Sequence, residues 1–225
     1  MQKQPSAWVR SVAAIIAKDA VSEFRSRYAA GVLSMFALVT LASISMTVGG
    51  IGLSPTLLAA LLWVIIFFSA MAGLCRVFVQ EQEAGTLFTL RMFAKPQAVL
   101  FGKLIFNIIL LTGLTLLIAP LFIIFFNVEA FSWQSLCGIL LLGDIGIAAV
   151  ATLTAAMVAH TEGKGSLFTV LSFPLLLPQF LTAIQTTEKV FSGALPVWNQ
   201  LVFMAGYDAT VIIAASILFD YLWND

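Results

Sequence analysis

The residues from Tyr28 to Cys75 include no charged side chain, and this apolar run limits the possible folds more than any other feature. A helix that crosses a bilayer needs about 20 apolar residues, so the run has room for two. Its middle, from Gly49 to Pro55, reads GGIGLSP and has the composition of a turn. We therefore predict two membrane spans, near 31–48 and 56–76.

The rest of the chain has the same apolar character. Hydrophobic residues make up 61% of the sequence and charged residues 10%, whereas soluble domains average roughly 25% charged residues. Lipid leaves only helices or a closed barrel to satisfy the backbone, and no series of short alternating strands is present. We predict an all-α integral membrane protein with one permease domain over residues 1–225. Four further spans are expected near 98–126, 132–158, 166–185 and 199–221.

The basic residues predict the orientation. Six spans place both termini on one side, and loops rich in lysine and arginine stay in the cytoplasm. Only Lys189 falls on the other side, so both termini are predicted to be cytoplasmic, and the zero net charge gives no indication of a nucleic-acid partner. The residues on the inner side are Lys3, Arg10, Lys18, Arg25, Arg27, Arg76, Arg91, Lys95, Lys103 and Lys164.

An amphipathic helix is predicted before the first span, within residues 1–30. Its apolar stripe faces away from Lys18 and Arg25, and Glu23 and Arg27 are spaced as an ion pair. We predict that this helix lies in the cytoplasmic interface of the membrane, and packing on another subunit is the alternative. The stripe consists of Val9, Val12, Ala13, Ile16, Ala20 and Phe24.

The segment between the second and third spans, VQEQEAGTLFTLRMFAKPQAVLFGK, is polar at its start and then apolar. Gly85 is suited to end one helix, Thr86 to cap a short helix Leu87–Phe93, and Pro96 to begin the third span. An apolar helix outside the bilayer predicts a partner surface. The alternative is that Leu87, Phe88 and Leu90 dip back into the lipid headgroups.

The sequence offers no support for catalysis. The nearest approach to a phosphate-binding loop is residues 163–166, GKGS, where Val158 stands in place of the first glycine and Gly165 follows the lysine. We predict a cytoplasmic turn there, and no catalytic, cofactor-binding or metal-binding residue. The single histidine, His160, is expected in a solvated loop and not as a haem ligand. Cys75 and Cys137 fall on opposite membrane faces, beyond the reach of a disulfide.

Two acidic residues lie inside predicted spans. Asp144 is near the centre of the fourth span, where a charge costs about 2.5–3.5 kcal/mol, so it must face the bundle or a subunit contact, or carry a proton. The sequence leaves open a role in substrate movement or coupling and a role in helix packing. Asp208, in the outer part of the sixth span, is expected to be closer to water and structural.

Small residues and prolines mark the fourth and fifth spans. Small residues at every fourth position let helices approach closely, within one subunit or between two. Pro174 and Pro178 interrupt the hydrogen bonds of the fifth span and predict a kink, for which packing is favoured over gating. The small residues form two rows: Ala148, Thr152 and Ala156, and Ala151, Ala155 and Ala159.

Several stretches resemble known permeases. EQEAGTLFTL at 81–90, followed by a proline and by Gly102-Lys103 at the start of a span, resembles exporter-type permeases of ABC transporters, the ABC-2 group. AAMVAHTEGKGSLFTVLSFPLLLPQFLTAI at 155–184 and YDATVIIAASILFDYLWND at 207–225 are similar to the haem exporter protein B family, the permease of cytochrome c maturation. The similarity covers nearly the whole chain.

The resemblance implies a bacterial inner-membrane permease with an interfacial N-terminal helix, six spans and a cytoplasmic coupling helix between spans two and three. ATP would bind to a separate cytoplasmic ATPase, the other partners would be membrane subunits of cytochrome c maturation, and the permease would be a homodimer or a heteromer. Haem would be a substrate and not a bound cofactor. The coupling residues, which we call the docking segment, would be Glu81, Glu83, Gly85, Thr86, Leu87, Phe88 and Leu90.

Three alternatives stay open on the sequence. The complex could release a haem-loaded chaperone by mechanical work instead of moving haem through this chain. It could be an ABC-2 exporter of another substrate, such as a lipid-linked glycan or a drug. It could also be an assembly scaffold that transports nothing.

The predicted topology can be tested by cysteine accessibility. Ser54→Cys and Gly193→Cys should react with an impermeant thiol reagent added to intact cells, because both positions fall in outer loops, and Gln82→Cys should not. The reverse labelling pattern would overturn the orientation and, with it, the cytoplasmic position of the docking segment.

Overall fold

The computed structural model describes residues 7–48, 52–74, 90, 92, 94–128, 131–158, 164–195 and 198–224. Within these ranges it contains seven helices and no strand. The helices are α1 (Ala7–Ser26), α2 (Tyr28–Val48), α3 (Pro55–Leu74), α4 (Pro96–Phe126), α5 (Trp133–Val158), α6 (Lys164–Phe191) and α7 (Trp198–Asn224).

The six predicted spans are confirmed as helices. Each of α2 to α7 is long and apolar enough to cross a bilayer. Pro96 stands in the first turn of α4, as predicted, and Asn127 ends that helix in the left-handed conformation with its N–H bonded to the Ile123 carbonyl. The all-helical class therefore follows from apolar runs that leave the backbone no other way to be satisfied.

The fifth span extends beyond its predicted outer end. The span was expected to end near residue 185, before the polar stretch that follows, but α6 continues to Phe191. Thr186 and Thr187 are buried there, because one hydroxyl donates to the Thr182 carbonyl and the other accepts a hydrogen bond from Trp63. At the other end α6 already begins at Lys164, so part of the predicted GKGS turn is helical.

Helix α5 is the centre of the bundle. It packs against α3, α4, α6 and α7, and it is the most buried of the candidate spans. The described members of its two small-residue rows are buried within this chain, which confirms close packing inside one subunit for them. Ala159 lies outside the described residues.

A tryptophan fits against a bare stretch of backbone where α3 meets α5. The ring of Trp63 is completely buried, and its Nε1 donates to Thr187 Oγ1 of α6 at 2.9 Å. A Cβ atom added to Gly143 would lie 1.9 Å from the ring. Glycine is therefore required at residue 143, because any side chain would displace the ring that joins α3, α5 and α6.

The N-terminal helix packs on its own chain. Val12 and Ile15 are buried against α4, where Ile15 fits closely over Gly102, and Trp8 contacts Phe101 edge to face. Ile16 of the stripe also packs against the core, whereas Val9, Ala13 and Phe24 are exposed, Phe24 to 81%. The buried residues therefore contact this chain itself, whereas lipid or another subunit was expected to cover the whole stripe. The interfacial position of the exposed residues stays a prediction.

The turn between α1 and α2 is a single residue. Arg27 has a positive φ of 51°, and the Glu23 carboxylate accepts a hydrogen bond from the Ala30 N–H at 2.8 Å. The carboxylate thus satisfies one of the free N–H groups in the first turn of α2.

Helix α6 is continuous across Pro174 and Pro178, both of which lie inside it. Between them, the Leu175 carbonyl accepts a hydrogen bond from the Tyr207 hydroxyl of α7. The first and last residues of α6 do not show whether the helix is kinked, so the kink stays a prediction.

We predict that Gly143→Ala destabilises the bundle by about 1–3 kcal/mol, the usual cost of overpacking a well-packed site. Gly138→Ala in the same helix is the matched control, because a Cβ there would meet nothing within 4 Å. Thermal unfolding of the two variants in mild detergent is the measurement. Equal melting temperatures would show that the Trp63 contact does not control packing.

Candidate functional site

Of the docking segment, Leu90 is within the described residues, and Glu81, Glu83, Gly85, Thr86, Leu87 and Phe88 lie outside them. The Leu90 side chain is half-buried and packs against the hydrophobic core, and its carbonyl accepts a hydrogen bond from the Ala94 N–H at 3.0 Å. Met92 beside it is 81% exposed. Leu90 therefore contacts the bundle, while Met92 offers apolar surface at the beginning of α4.

Asp144 is buried between α5 and α4, with 1% of its surface exposed. The Thr115 hydroxyl of α4 donates to Asp144 Oδ1 at 2.9 Å. Thr112 is close to the same carboxyl group, but neither its Oγ1 nor Asp144 Oδ2 has a hydrogen-bond partner among the residues that the structure describes. The acid faces the bundle, as the sequence predicted, and its contact is an interhelical hydrogen bond to a hydroxyl group.

The expectation that Asp208 lies closer to water is wrong. The sequence placed it towards water, but the side chain is 4% exposed in the middle of α7. It faces Gly146 of α5, where an added Cβ would lie 2.6 Å from Asp208 Oδ1 and 3.0 Å from Nε2 of Gln179 on α6. The physical reason is that the bare backbone at Gly146 leaves room in the bundle for both polar side chains.

Gln179 completes this contact. Its side chain is 2% exposed, and its Nε2 donates to the Leu142 carbonyl of α5 at 3.4 Å. Sequence reasoning did not identify Gln179 as a site residue. The available signal was a single amide side chain in an apolar run, directly after Pro178.

These polar groups lie at one depth. Thr115, Asp144, Gln179 and Asp208 are each about ten to twelve residues from the outer end of their helix, or about 15–18 Å. Because the hydrocarbon core is about 30 Å thick, that depth is close to the membrane midplane. We call Thr115, Asp144, Gly146, Gln179 and Asp208 the midplane layer.

A second set of hydrogen bonds lies closer to the predicted cytoplasmic side. The Asn107 amide of α4 donates to Thr152 Oγ1 of α5 at 2.8 Å, and the hydroxyls of Thr154 and Ser172 are 2.8 Å apart, joining α5 to α6. These contacts hold the inner halves of α4, α5 and α6 in register, because every shift would leave a buried polar group unpaired.

An ion pair lies at the predicted cytoplasmic end of the bundle. Lys103 of α4 is 1% exposed, and its Nζ lies 3.5 Å from Asp19 Oδ2 of α1. Lys18 also contacts Asp19, at 3.2 Å. The sequence treated Lys103 only as a marker of the inner side; its partner could not be seen because Asp19 is distant in the chain.

The chemistry of the midplane layer is limited to carboxyl, amide and hydroxyl groups. Such groups can hold protons and water. The nearest basic residue on α4 is Lys103, about 18 Å along the helix from Thr115 and already paired with Asp19. Within the described part of the chain, the layer thus has no cation to bind an anionic substrate.

A family model described as CcmB protein matches residues 10–219. The match includes α2 to α6, nearly all of α7, the docking segment and every residue of the midplane layer. No curated protein matches the chain.

We predict that Asp144→Asn leaves the amount of folded protein close to that of the native chain, because the amide oxygen can still accept the Thr115 hydroxyl. Asp144→Leu should reduce it, since leucine accepts no hydrogen bond and leaves Thr115 unpaired. A double-mutant cycle with Thr115→Val, read by thermal unfolding in detergent, should give a coupling energy of about 0.6–1.7 kcal/mol. A coupling energy of zero would contradict a packing role.

Proposed function

The chain belongs to the CcmB family, and we propose that it is the membrane subunit through which a separate cytoplasmic ATPase acts during cytochrome c maturation. Members of the family are permease subunits of the haem exporter in this system and are not themselves catalytic. The six apolar helices agree with a multi-pass protein of the inner membrane. The observation that carries the proposal is the family match over residues 10–219.

We place the ATPase contact at the docking segment, on the cytoplasmic side. Five residues separate Leu90, the last residue of the segment, from Pro96, where α4 begins, so a force applied to the segment acts close to the first turn of a helix. The contact of Leu90 with the core supports this path, because it joins the end of the segment to the bundle. The partner surface is apolar, which fits Leu87, Phe88 and the exposed Met92.

Helix α4 is suited to carry the motion further. The Lys103–Asp19 ion pair joins it to α1, and the Asn107–Thr152 and Thr115–Asp144 hydrogen bonds join it to α5 at two depths. A movement of α4 that preserved these contacts would displace α1 and α5 together. We infer a rigid unit of α1, α4 and α5 that transmits the movement of the ATPase.

The midplane layer favours mechanical release of a haem-loaded chaperone over passage of haem through the chain. Haem carries two propionates, and the described part of the midplane layer has no cation to bind them, since Lys103 is paired with Asp19. The packing of α5 against its neighbours also leaves the small residues of its centre buried. Transport of a different substrate and a scaffold role are the remaining alternatives. Both are tested by asking whether cytochrome c maturation depends on ATP hydrolysis.

The Asp144→Asn variant also separates these functional roles. If the acid only packs helices, holo-cytochrome c formed per assembled complex should equal that of the native chain. If its charge takes part in coupling, the complex should assemble and bind nucleotide but form no holo-cytochrome c.

We predict that Leu87→Asp weakens binding of the ATPase about 30-fold, the effect of losing one interface hot spot of about 2 kcal/mol. The combined Leu87→Asp and Leu90→Asp variant should abolish co-purification of the ATPase from mild detergent while membrane insertion persists. Asn199→Asp is the matched control, because it adds the same charge at an exposed position at the opposite end of the bundle.

Leu90→Asp alone should also lower the melting temperature, since that side chain packs on the core, whereas Leu87→Asp should not. A complex that retains the ATPase and normal holo-cytochrome yield with both substitutions would refute docking and favour insertion of the segment into the headgroups. Loss of binding without any dependence of cytochrome maturation on ATP hydrolysis would favour a scaffold.

A further inference from the structure

Three buried oxygen atoms on two side chains at the α5–α6–α7 junction have no hydrogen-bond donor among the described residues. Both carboxyl oxygens of Asp208 and Oε1 of Gln179 have no hydrogen-bond partner among the described residues. Asp208 Oδ1 and Gln179 Nε2 lie within 2.6 Å and 3.0 Å of the same point above Gly146. The two side chains are therefore neighbours in a buried part of the bundle.

The chemistry of these groups indicates that a hydrogen-bond donor is needed between them. An ionised carboxylate only accepts hydrogen bonds, and an amide oxygen also only accepts. They cannot bond to each other unless one of them carries an additional proton. A protonated Asp208 could donate to Gln179 Oε1, while Gln179 Nε2 could donate to the other carboxyl oxygen, so that one proton would satisfy all three atoms.

No described charge takes the place of that proton. On α5, Asp144 faces Thr115 of α4, on the other side of the helix from Gly146. On α4, Lys103 is paired with Asp19. On α7 itself, the neighbouring Tyr207 uses its hydroxyl hydrogen for the Leu175 carbonyl.

The titratable groups of α6 are also engaged elsewhere. Glu188 accepts a hydrogen bond from Thr56, and Lys189 donates to Gln200, both near the outer end of the helix. They are separated from Gln179 by more than two turns of α6. An uncompensated carboxylate at the midplane would thus be surrounded by apolar groups, which is why intramembrane acids face a partner or a proton path.

We propose that Asp208, Gln179 and Gly146 form a membrane-embedded proton-binding site. At rest Asp208 holds one proton as a neutral acid. When α7 separates from α5 and water reaches the carboxyl group, its O–H bond breaks, the electron pair stays on the carboxylate, and the proton passes to water. The site does not depend on the proposed function, because it requires only that the bundle spans a membrane.

A metal cation fits the site less well. Hard cations in proteins take about six or more oxygen ligands, and the unpaired oxygen atoms here are three, on two described side chains. Sodium ions are nevertheless included as a separate arm of the test.

The test is infrared spectroscopy of the full chain in lipid nanodiscs, with ¹³C label in the aspartate carboxyl groups. At neutral pH the native chain should show the carbonyl stretch of a protonated acid, and Asp208→Asn should lose that component. Asp144→Asn is the matched control and should retain it. The Asp208 component should decrease when the pH is raised, and replacing sodium with choline should leave it unchanged.

Gln179→Leu provides a second variant if Asp208→Asn folds poorly. It should keep the protonated-acid band but shift it to higher frequency, because the acid loses its hydrogen-bonded amide. An Asp208→Asn spectrum identical to the native one would overturn the proposal, as would a Gln179→Leu spectrum without any shift. A band that appears only when sodium is removed would identify a sodium site instead.

Discussion

The absence of water from the bilayer core is the constraint on which this structure depends. Each polar group buried there must be satisfied by another part of the chain, since an unpaired group costs several kcal/mol. Helix α5 is the element where this demand is met, because it lies at the centre of the bundle and hydrogen-bonds through Asp144, Thr152 and Thr154 to α4 and α6. Its small residues serve the same end, because they bring the neighbouring helices close enough for those bonds.

Much of the fold could be predicted from the sequence because lipid simplifies the pattern. The run from Tyr28 to Cys75 can only be two helices with a turn, and the structure has α2 and α3 there. The predicted end of the fifth span was wrong at residues 185–191, where polar residues were placed outside the span. In the structure the threonine hydroxyls bond within the bundle, and a sequence does not reveal which polar residues will find such partners.

The candidate site was predictable only in part, for the same reason. Asp144 was recognised because a charge in the middle of a span is unusual, but its partner, Thr115, belongs to another helix. Asp208 was judged by its place in the sequence and not by Gly146, which makes room for it across the bundle. Gln179 carries no charge and gave no comparable signal. The residues of the docking segment other than Leu90 stay predictions from the sequence.

The ends of α7 bear on how a proton at Asp208 would be released. At the outer end Lys189 donates to Gln200 at 3.1 Å, and at the inner end Gln97 of α4 reaches Asp220 at 3.5 Å, the weaker of the two contacts. Asp208 lies on α7 between these two contacts, where it faces Gly146 of α5. Because Gln97 is in the first turn of α4, close to the docking segment, a displacement there would act on the weaker contact first. The same movement that transmits force along α4 would then loosen α7 from its predicted cytoplasmic end, which would make proton release a consequence of docking and not an independent event.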